Sequence, residues 1–390
     1  MLLSPEESAM RLSRLTAPME SSGIDMALIQ DNATKYYLTG RVFAGHIIVN
    51  RQGMMHCFVR RPNHLRGEGL TPVRKPEDIP AHCPEGLLAD CATIGLEFAT
   101  LNVNDFNRLK AVFPTMSPVD LSPCLRQARS VKTAREIELI TRSGLLQAEV
   151  YATIPSLYRP GMTDLELQIE IERQLRLKGC LGQFRISGDS MELFMGNILV
   201  GDNADSPTPY DFAMGGAGID PSLPVGADGT IIAPGCSVMV DANGNFTGYM
   251  TDMTRTYSCG TLAPLAKKAH AASIEICHTL ADMARPGVKA SRLYEEATAI
   301  VEREGLTDCF MGHRQKAGFV GHGLGIEINE APVIAPRSRD ILEAGNVLAL
   351  EPKFVIPGTG AVGIENTYCV RDNAPAMLLT NAPEEIIPLD

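Results

Sequence analysis

Two acids lie where a core should be. Asp241 ends the apolar run VMVDA and Glu351 the run LALEP. A buried lone carboxylate is costly and tends to neutralise itself. Each has a companion further along, Asp252 eleven residues after Asp241 and Glu365 fourteen after Glu351. Gly244 and Gly248 fill the first interval, and Pro357-Gly358-Thr359-Gly360 interrupts the second. Each interval therefore reads as a hairpin that returns both acids to one end and one face. Four converging carboxylates repel one another unless cations offset them. Two divalent ions bring four positive charges against four negative ones, so the pattern predicts a dinuclear metal centre. His322, flanked by glycine in VGHGLG, is a fifth ligand candidate, because small neighbours let backbone and ion approach closely. Oxygen-rich ligation with a single imidazole suits manganese, cobalt, iron or zinc, and the residue types do not choose among them.

The elements that must position these residues are duplicated. RPGMTDLELQIEIERQLRLKG (159–179) aligns without gaps on RPGVKASRLYEEATAIVEREG (285–305). Each copy is a helix that ends at Gly, where a left-handed cap is easiest. Downstream, 234–259 corresponds to 344–370: a Gly, a short strand ending in an acid, a glycine turn, a second acid and then Thr-Tyr. The expectation is two helix–helix–hairpin units about a pseudo-twofold axis, with their strands side by side in one sheet. Ahead of them, a capped helix over SPEESAMRLSRLTAPMESSG and the strand-length runs DMALIQ, GHIIVN and MHCFVR suggest a separate α/β domain. The basic stretch before the long helix of SVKTAREIELITRSGLLQAEVYATI sets the boundary, giving domains over 1–128 and 129–390.

Composition bounds the function. The formal net charge is −11, which argues against nucleic acid or an anionic membrane as partner, since both need a basic footprint. The ten cysteines form no C-x-x-C pair and the start MLLSPEESAM lacks a secretory pattern. A cytoplasmic protein with free thiols is expected. No stretch approaches the length of a membrane span.

The order Asp, Asp, His, Glu, Glu within VDxxGxxxGYxxDxTRT, GHGxG and a later pair of glutamates resembles the creatinase/aminopeptidase P/prolidase group, the M24 metallopeptidases. The resemblance covers about residues 130–390, and more weakly the front part through KYYLTG. It implies a pita-bread catalytic domain of α+β class behind a creatinase-type α/β domain. It also implies two divalent metals on Asp241, Asp252, His322, Glu351 and Glu365, with Asp252 and Glu365 bridging. Glu351 would double as proton shuttle for a metal-bridging hydroxide that attacks a carbonyl carbon. The expected activity is Xaa-Pro dipeptidase- or aminopeptidase-like, in a homodimer whose front domain narrows substrate access.

The sequence departs from that pattern at the substrate side. Val225, Gly318 and Asn329 stand where such peptidases usually carry histidines. Asn329 can hydrogen-bond but cannot act as an acid near pH 7. His313, nine residues before His322, could enter the site from another direction or sit on a surface loop. His46 is a further candidate, to face a partner's site or to lie at a strand edge. Residues 200–224, rich in Gly, Pro, Asp and Asn, are expected to line the cleft entrance. The missing histidines keep open a hydrolase of a small non-peptide C–N substrate, as creatinase and ectoine-hydrolase relatives are. An inert binding protein is a third reading, against which the complete ligand set argues.

Overall fold

A computed structural model describes residues 3–186 and 195–389. Its contacts divide the chain into two compact units, Met1–Arg129 and Ser130–Asp390. Among the described residues no helix is long and apolar enough to cross a membrane.

The first unit runs α1 (Pro5–Ser21), β1 (Met26–Ile29), α2 (Asn32–Thr39), β2 (Ala44–Asn50), β3 (Met55–Arg61), β4 (Leu70–Pro72), β5 (Thr93–Leu96), α3 (Val103–Val112), β6 (Ser117–Asp120) and α4 (Ser122–Ser130). The expected helix starts at Ser4, whose hydroxyl accepts from Glu7 N and satisfies one of the free N–H groups of the first turn. The three apolar runs form β1, β2 and β3. The strands make one sheet in the order β4-β3-β2-β1-β5-β6. β1, β2 and β3 pair antiparallel, and β1, β5 and β6 run parallel.

The second unit begins with α5 (Ala134–Tyr151), α6 (Ile154–Leu157), α7 (Asp164–Leu177), β7 (Gly196–Val200), β8 (Ser237–Asn243) and β9 (Asp252–Ser258). It continues with α8 (Pro264–Met283), α9 (Ala290–Glu304), β10 (Gly321–Gly323), β11 (Glu330–Ile334), β12 (Val347–Leu350), β13 (Lys353–Ile356), β14 (Gly360–Gly363), β15 (Asn366–Cys369), β16 (Met377–Leu378) and β17 (Ile387–Pro388). The repeated segments form α7 and α9. A capping box of Thr163 and Glu166 opens α7, whereas Lys289 before α9 makes no side-chain cap. Each half keeps its own core. Leu167, Ile171 and Leu175 of α7 pack with Ile198, Val240 and Met253, and Leu293, Ala297 and Val301 of α9 with Leu348, Phe354 and Val362.

One expectation needs correction. The two hairpins do not share a sheet. β8 and β9 belong to a four-stranded sheet, β17-β9-β8-β7, and β12 and β15 to a five-stranded one, β11-β10-β12-β15-β16. The second hairpin is also interrupted, because β13 and β14 fold out as a separate two-stranded ribbon between its arms. Threonine side chains, with one backbone bond from Glu365 N to Thr254 O (3.1 Å), join the first hairpin to the second. Thr367 Oγ1 donates to Asp252 O (2.9 Å) and accepts from Asp252 N (3.0 Å). Thr256 Oγ1 does the same for Gly363, donating to its O (2.7 Å) and accepting from its N (3.0 Å). A hydroxyl that both donates and accepts can replace a ladder step. Arg255, fully buried, adds bonds from Nη1 to Thr254 O and Glu365 O. Its other bonds run to Pro383 O, Ala382 O and Asn366 Oδ1.

Candidate metal centre

Strand register places the acids. Asn243 lies opposite Asp252 and Asp241 opposite Thr254. Side chains alternate along a strand, so Asp241, Asn243, Asp252 and Thr254 share one face. Leu350 lies opposite Asn366. Glu351 and Glu365 therefore leave that ladder together, one step beyond its end. His322 lies opposite Ala349, two residues before Glu351, and so shares the Glu351 face. His322 Nε2 is 3.2 Å from Glu351 Oε1, and Nδ1 is 3.1 Å from Gly323 O. The flanking glycines are a packing need. A Cβ at Gly321 would stand 2.4 Å from Ala349 O, and one at Gly323 2.2 Å from Ala331 O.

A sixth charged residue joins the five. Lys353 opens β13, two residues after Glu351, and is fully buried. Its Nζ donates to Asp241 Oδ2 (2.7 Å), Glu351 Oε2 (2.8 Å) and Glu365 Oε2 (3.1 Å). Sequence reasoning missed it. The available signal was a lysine inside the apolar run LALEPKFVI at a two-residue offset from a candidate ligand. Gly363 opposite makes room, since a Cβ there would stand 2.6 Å from Pro352 O at a φ of +144°.

The charges respond to one another. Burial raises the Asp252 carboxyl well above its ordinary range, and Glu365, Asp241 and Glu351 add to the rise. Glu365 is pushed up to about 8, first by burial and then by Glu351. Burial also opposes charge on Glu351, but the Lys353 ammonium and His322 outweigh it and hold that carboxyl at about 2. Burial would neutralise Lys353, yet Asp241, Glu351 and Glu365 lift its ammonium well above the usual range. His322 is raised as well, because Glu351 outweighs its burial.

The donor set fits one divalent ion on its own atoms. Asp252, His322 and Glu365 each offer a ligand atom, all within 4.8 Å of one another. Among the described residues Glu365 Oε1 is buried without a hydrogen-bond partner, while its Oε2 is held by Lys353 and Thr254 Oγ1 (2.7 Å). A buried carboxylate oxygen left unpaired is costly, and a cation satisfies it.

A cavity of about 80 Å³ adjoins these groups. Phe184, Ile186, Phe212, Phe319 and Ile328 supply its apolar wall, with Asn197, Asn243 and Asn329 among its polar lining. Asn197 Oδ1 and Asn243 Oδ1 are buried with no partner among the described residues. The structure therefore gathers Asp241, Asp252, His322, Asn329, Glu351 and Glu365 around one pocket. Of the segment 200–224, Asp211, Phe212, Ala213 and Met214 line it. Val225, Gly318 and His313 do not. His313 is instead bound through Nδ1 to Asp205 Oδ2 (2.8 Å), with its side chain 42 % exposed. That bond ties its loop to the end of the short helical turn Gly201–Asp205. In the first unit His46 lines a separate cavity of about 490 Å³ with Lys35, Arg60 and Arg108. Burial, then the positive charges of Lys35 and Arg60, push its imidazole down to about 4.

Buried acids and one imidazole thus gather into a candidate metal centre beside the seam of the two hairpins. Residues 138–372 match the model of metallopeptidase family M24, and 11–131 that of the creatinase/prolidase N-terminal domain. The chain belongs to metallopeptidase family M24 and carries the creatinase-type front domain. It is 25 % identical to the uncharacterized peptidase YqhT of Bacillus subtilis, over 97 % of this chain and 100 % of the relative. It is likewise 25 % identical to an Xaa-Pro dipeptidase of Pyrococcus furiosus, over 97 % and 99 %. Among solved structures it is similar to an Xaa-Pro dipeptidase from Bacillus anthracis, with a TM-score of 0.80 at 20 % identity over 98 % and 99 % of the two chains. An X-Pro aminopeptidase from Thermotoga maritima gives 0.78 at 20 % identity over 97 % and 99 %.

Proposed function

We propose that the protein hydrolyses the Xaa-Pro bond of dipeptides or short peptides with a divalent ion held by Asp252, His322 and Glu365. The observation that carries this is the pairing of that donor set with a small pocket having one apolar and one acceptor-rich side. A divalent ion there would polarise a carbonyl and lower the pKa of water. The protein's own groups do the rest. The aromatic and Ile wall suits a compact apolar ring such as proline. The buried acceptors Asn197 Oδ1 and Asn243 Oδ1 suit a free amino terminus, which would satisfy both. Glu351, bonded to Lys353 and His322, would take a proton from the attacking water and return it to the leaving nitrogen. Asn329 would orient a substrate oxygen by donating a hydrogen bond. His313, tied to Asp205, is not needed for any of these steps.

Manganese suits this oxygen-rich donor set as cobalt, iron or zinc do. A cytoplasmic setting fits the ten unpaired cysteines. A homodimer fits the front domain's part in enzymes of this kind; a single-chain mass in light scattering would refute that. A second reading, hydrolysis of a small non-peptide C–N compound, is favoured by Val225, Gly318 and Asn329 at the positions expected to carry histidines. Purified protein loaded in turn with manganese, cobalt and zinc should be offered Xaa-Pro dipeptides, N-acyl amino acids and amidino compounds. Cleavage confined to the last two groups would replace the first reading by the second.

A further inference from the structure

The four carboxylates that would hold two metals are shared here between a metal-type donor set and a lysine. Lys353 Nζ has three protons, and each meets a carboxylate oxygen, on Asp241, Glu351 and Glu365. Those bonds engage one oxygen on each of three carboxylates, Asp241 Oδ2, Glu351 Oε2 and Glu365 Oε2, and place a positive charge among them. The lysine is held from both ends. Its backbone O accepts from Met311 N (2.8 Å), and its strand is laddered to Gly363 and its neighbours. Its side chain has no exposed surface, so leaving the cluster would mean carrying an ammonium through the core without partners. The other edge of the cluster differs. There Glu365 Oε1 is buried and unpaired among the described residues, beside Asp252 and His322.

We propose that the Lys353 ammonium permanently takes the place of one of the two metal ions, so that this chain binds a single divalent ion, at Asp252, His322 and Glu365. The inference rests on the metallohydrolase reading above and narrows it. Asp241 becomes an anchor for the lysine instead of a metal ligand. Catalysis is then mononuclear, with a fixed organic cation in the second position.

The test counts metal. The full-length protein is stripped with chelator, saturated with manganese or zinc, desalted and measured by elemental analysis and titration calorimetry. One equivalent per chain with a single-site isotherm is expected. Lys353→Met and Lys353→Ala should rise to two equivalents. Asp241→Asn should keep its one equivalent, with affinity reduced no more than about 100-fold as for a group behind a ligand, while Asp252→Asn should lose it. Circular dichroism identifies any lysine variant that fails to fold, and the wild-type and Asp241→Asn counts then decide. Two equivalents in the wild type, or loss of the ion in Asp241→Asn, overturn the lysine proposal alone. No bound metal in the folded wild type overturns it together with the metallohydrolase reading.

Discussion

The two hairpins start from one pattern and end in different environments. In the first, β8 and β9 are joined by residues 244–251, and Asp241 and Asp252 face one way from adjacent strands with no basic residue in the connecting segment. In the second, the stretch between Glu351 and Glu365 is longer and folds out as the β13–β14 ribbon. That ribbon delivers Lys353 into the cluster, where it reaches back across the seam to Asp241 of the first hairpin. The same duplicated frame thus leaves Asp252 without a lysine bond, while Asp241, Glu351 and Glu365 share a built-in counter-charge. A few extra turn residues decided how the electrostatic cost of four buried acids is met.

The strongest way to break this comparison is to remove the acid without a lysine bond. Asp252→Asn should lower kcat/KM by about 10³-fold or more, because an ion at such a centre contributes several kcal/mol to the transition state. Steady-state kinetics on an Xaa-Pro dipeptide measures this, and a variant within tenfold of wild type would show that Asp252 is not where the chemistry occurs.

Removing the built-in cation comes next. With chelator present, Lys353→Met should lose about 3–5 kcal/mol of stability in urea unfolding, the usual cost of leaving a buried ion cluster without one partner. Added zinc or manganese should restore most of it. An unchanged urea midpoint without metal would mean that the lysine offsets nothing.

Glu97 in the first unit sharpens the contrast, as a buried acid supported by backbone donors with no ammonium bonded to it among the described residues. It accepts from Gln30 N and Asp31 N, and burial raises it to about 7. Its folded pKa exceeds its unfolded one of about 4.3, so its contribution is complete below the unfolded value and is lost as pH rises through about 7. Relative to Glu97→Gln, the wild type should weaken by on the order of 3 kcal/mol between pH 4.5 and 8. Parallel stability curves for the two proteins over that range would contradict the assignment.

The seam offers a smaller effect. Thr254→Val deletes the hydroxyl that donates to Glu365 Oε2. A loss of about 1–3 kcal/mol is expected in chemical denaturation, as for a buried acceptor left short of a donor. The smallest effects compare the repeated helices. Thr163→Ala should cost about 1 kcal/mol by removing the cap of α7. Lys289→Ser at the uncapped start of α9 should add a few tenths of a kcal/mol to about 1 kcal/mol. Equal responses at the two positions would show that the duplicated helices begin in the same way after all.

Much of this was legible before the fold. The helix from Ser4 and the first three strands follow from local signals, since caps and apolar runs act within a few residues. The one-unit spread of sheet pairing was not legible. A hairpin pattern specifies pairing inside itself, whereas the join between hairpins is made by Thr256 and Thr367, which sequence alone does not distinguish from ordinary strand threonines. His313 was equally ambiguous, because its partner Asp205 lies 108 residues away.

The sequence by itself determined that this chain has duplicated hairpins, each with two acids on one face, and a glycine-flanked histidine able to join them. Residue type and a period of two carry that information, and both are local. Only the tertiary structure decided which oxygen meets which cation. Lys353 follows Glu351 by two residues, so its side of the strand was readable. Whether its ammonium ends in solvent or among three carboxylates depends on the β13–β14 ribbon folding against β8, which brings it to Asp241, 112 residues away. A buried charge is stable only where its partners already stand, and no local pattern records where distant partners stand.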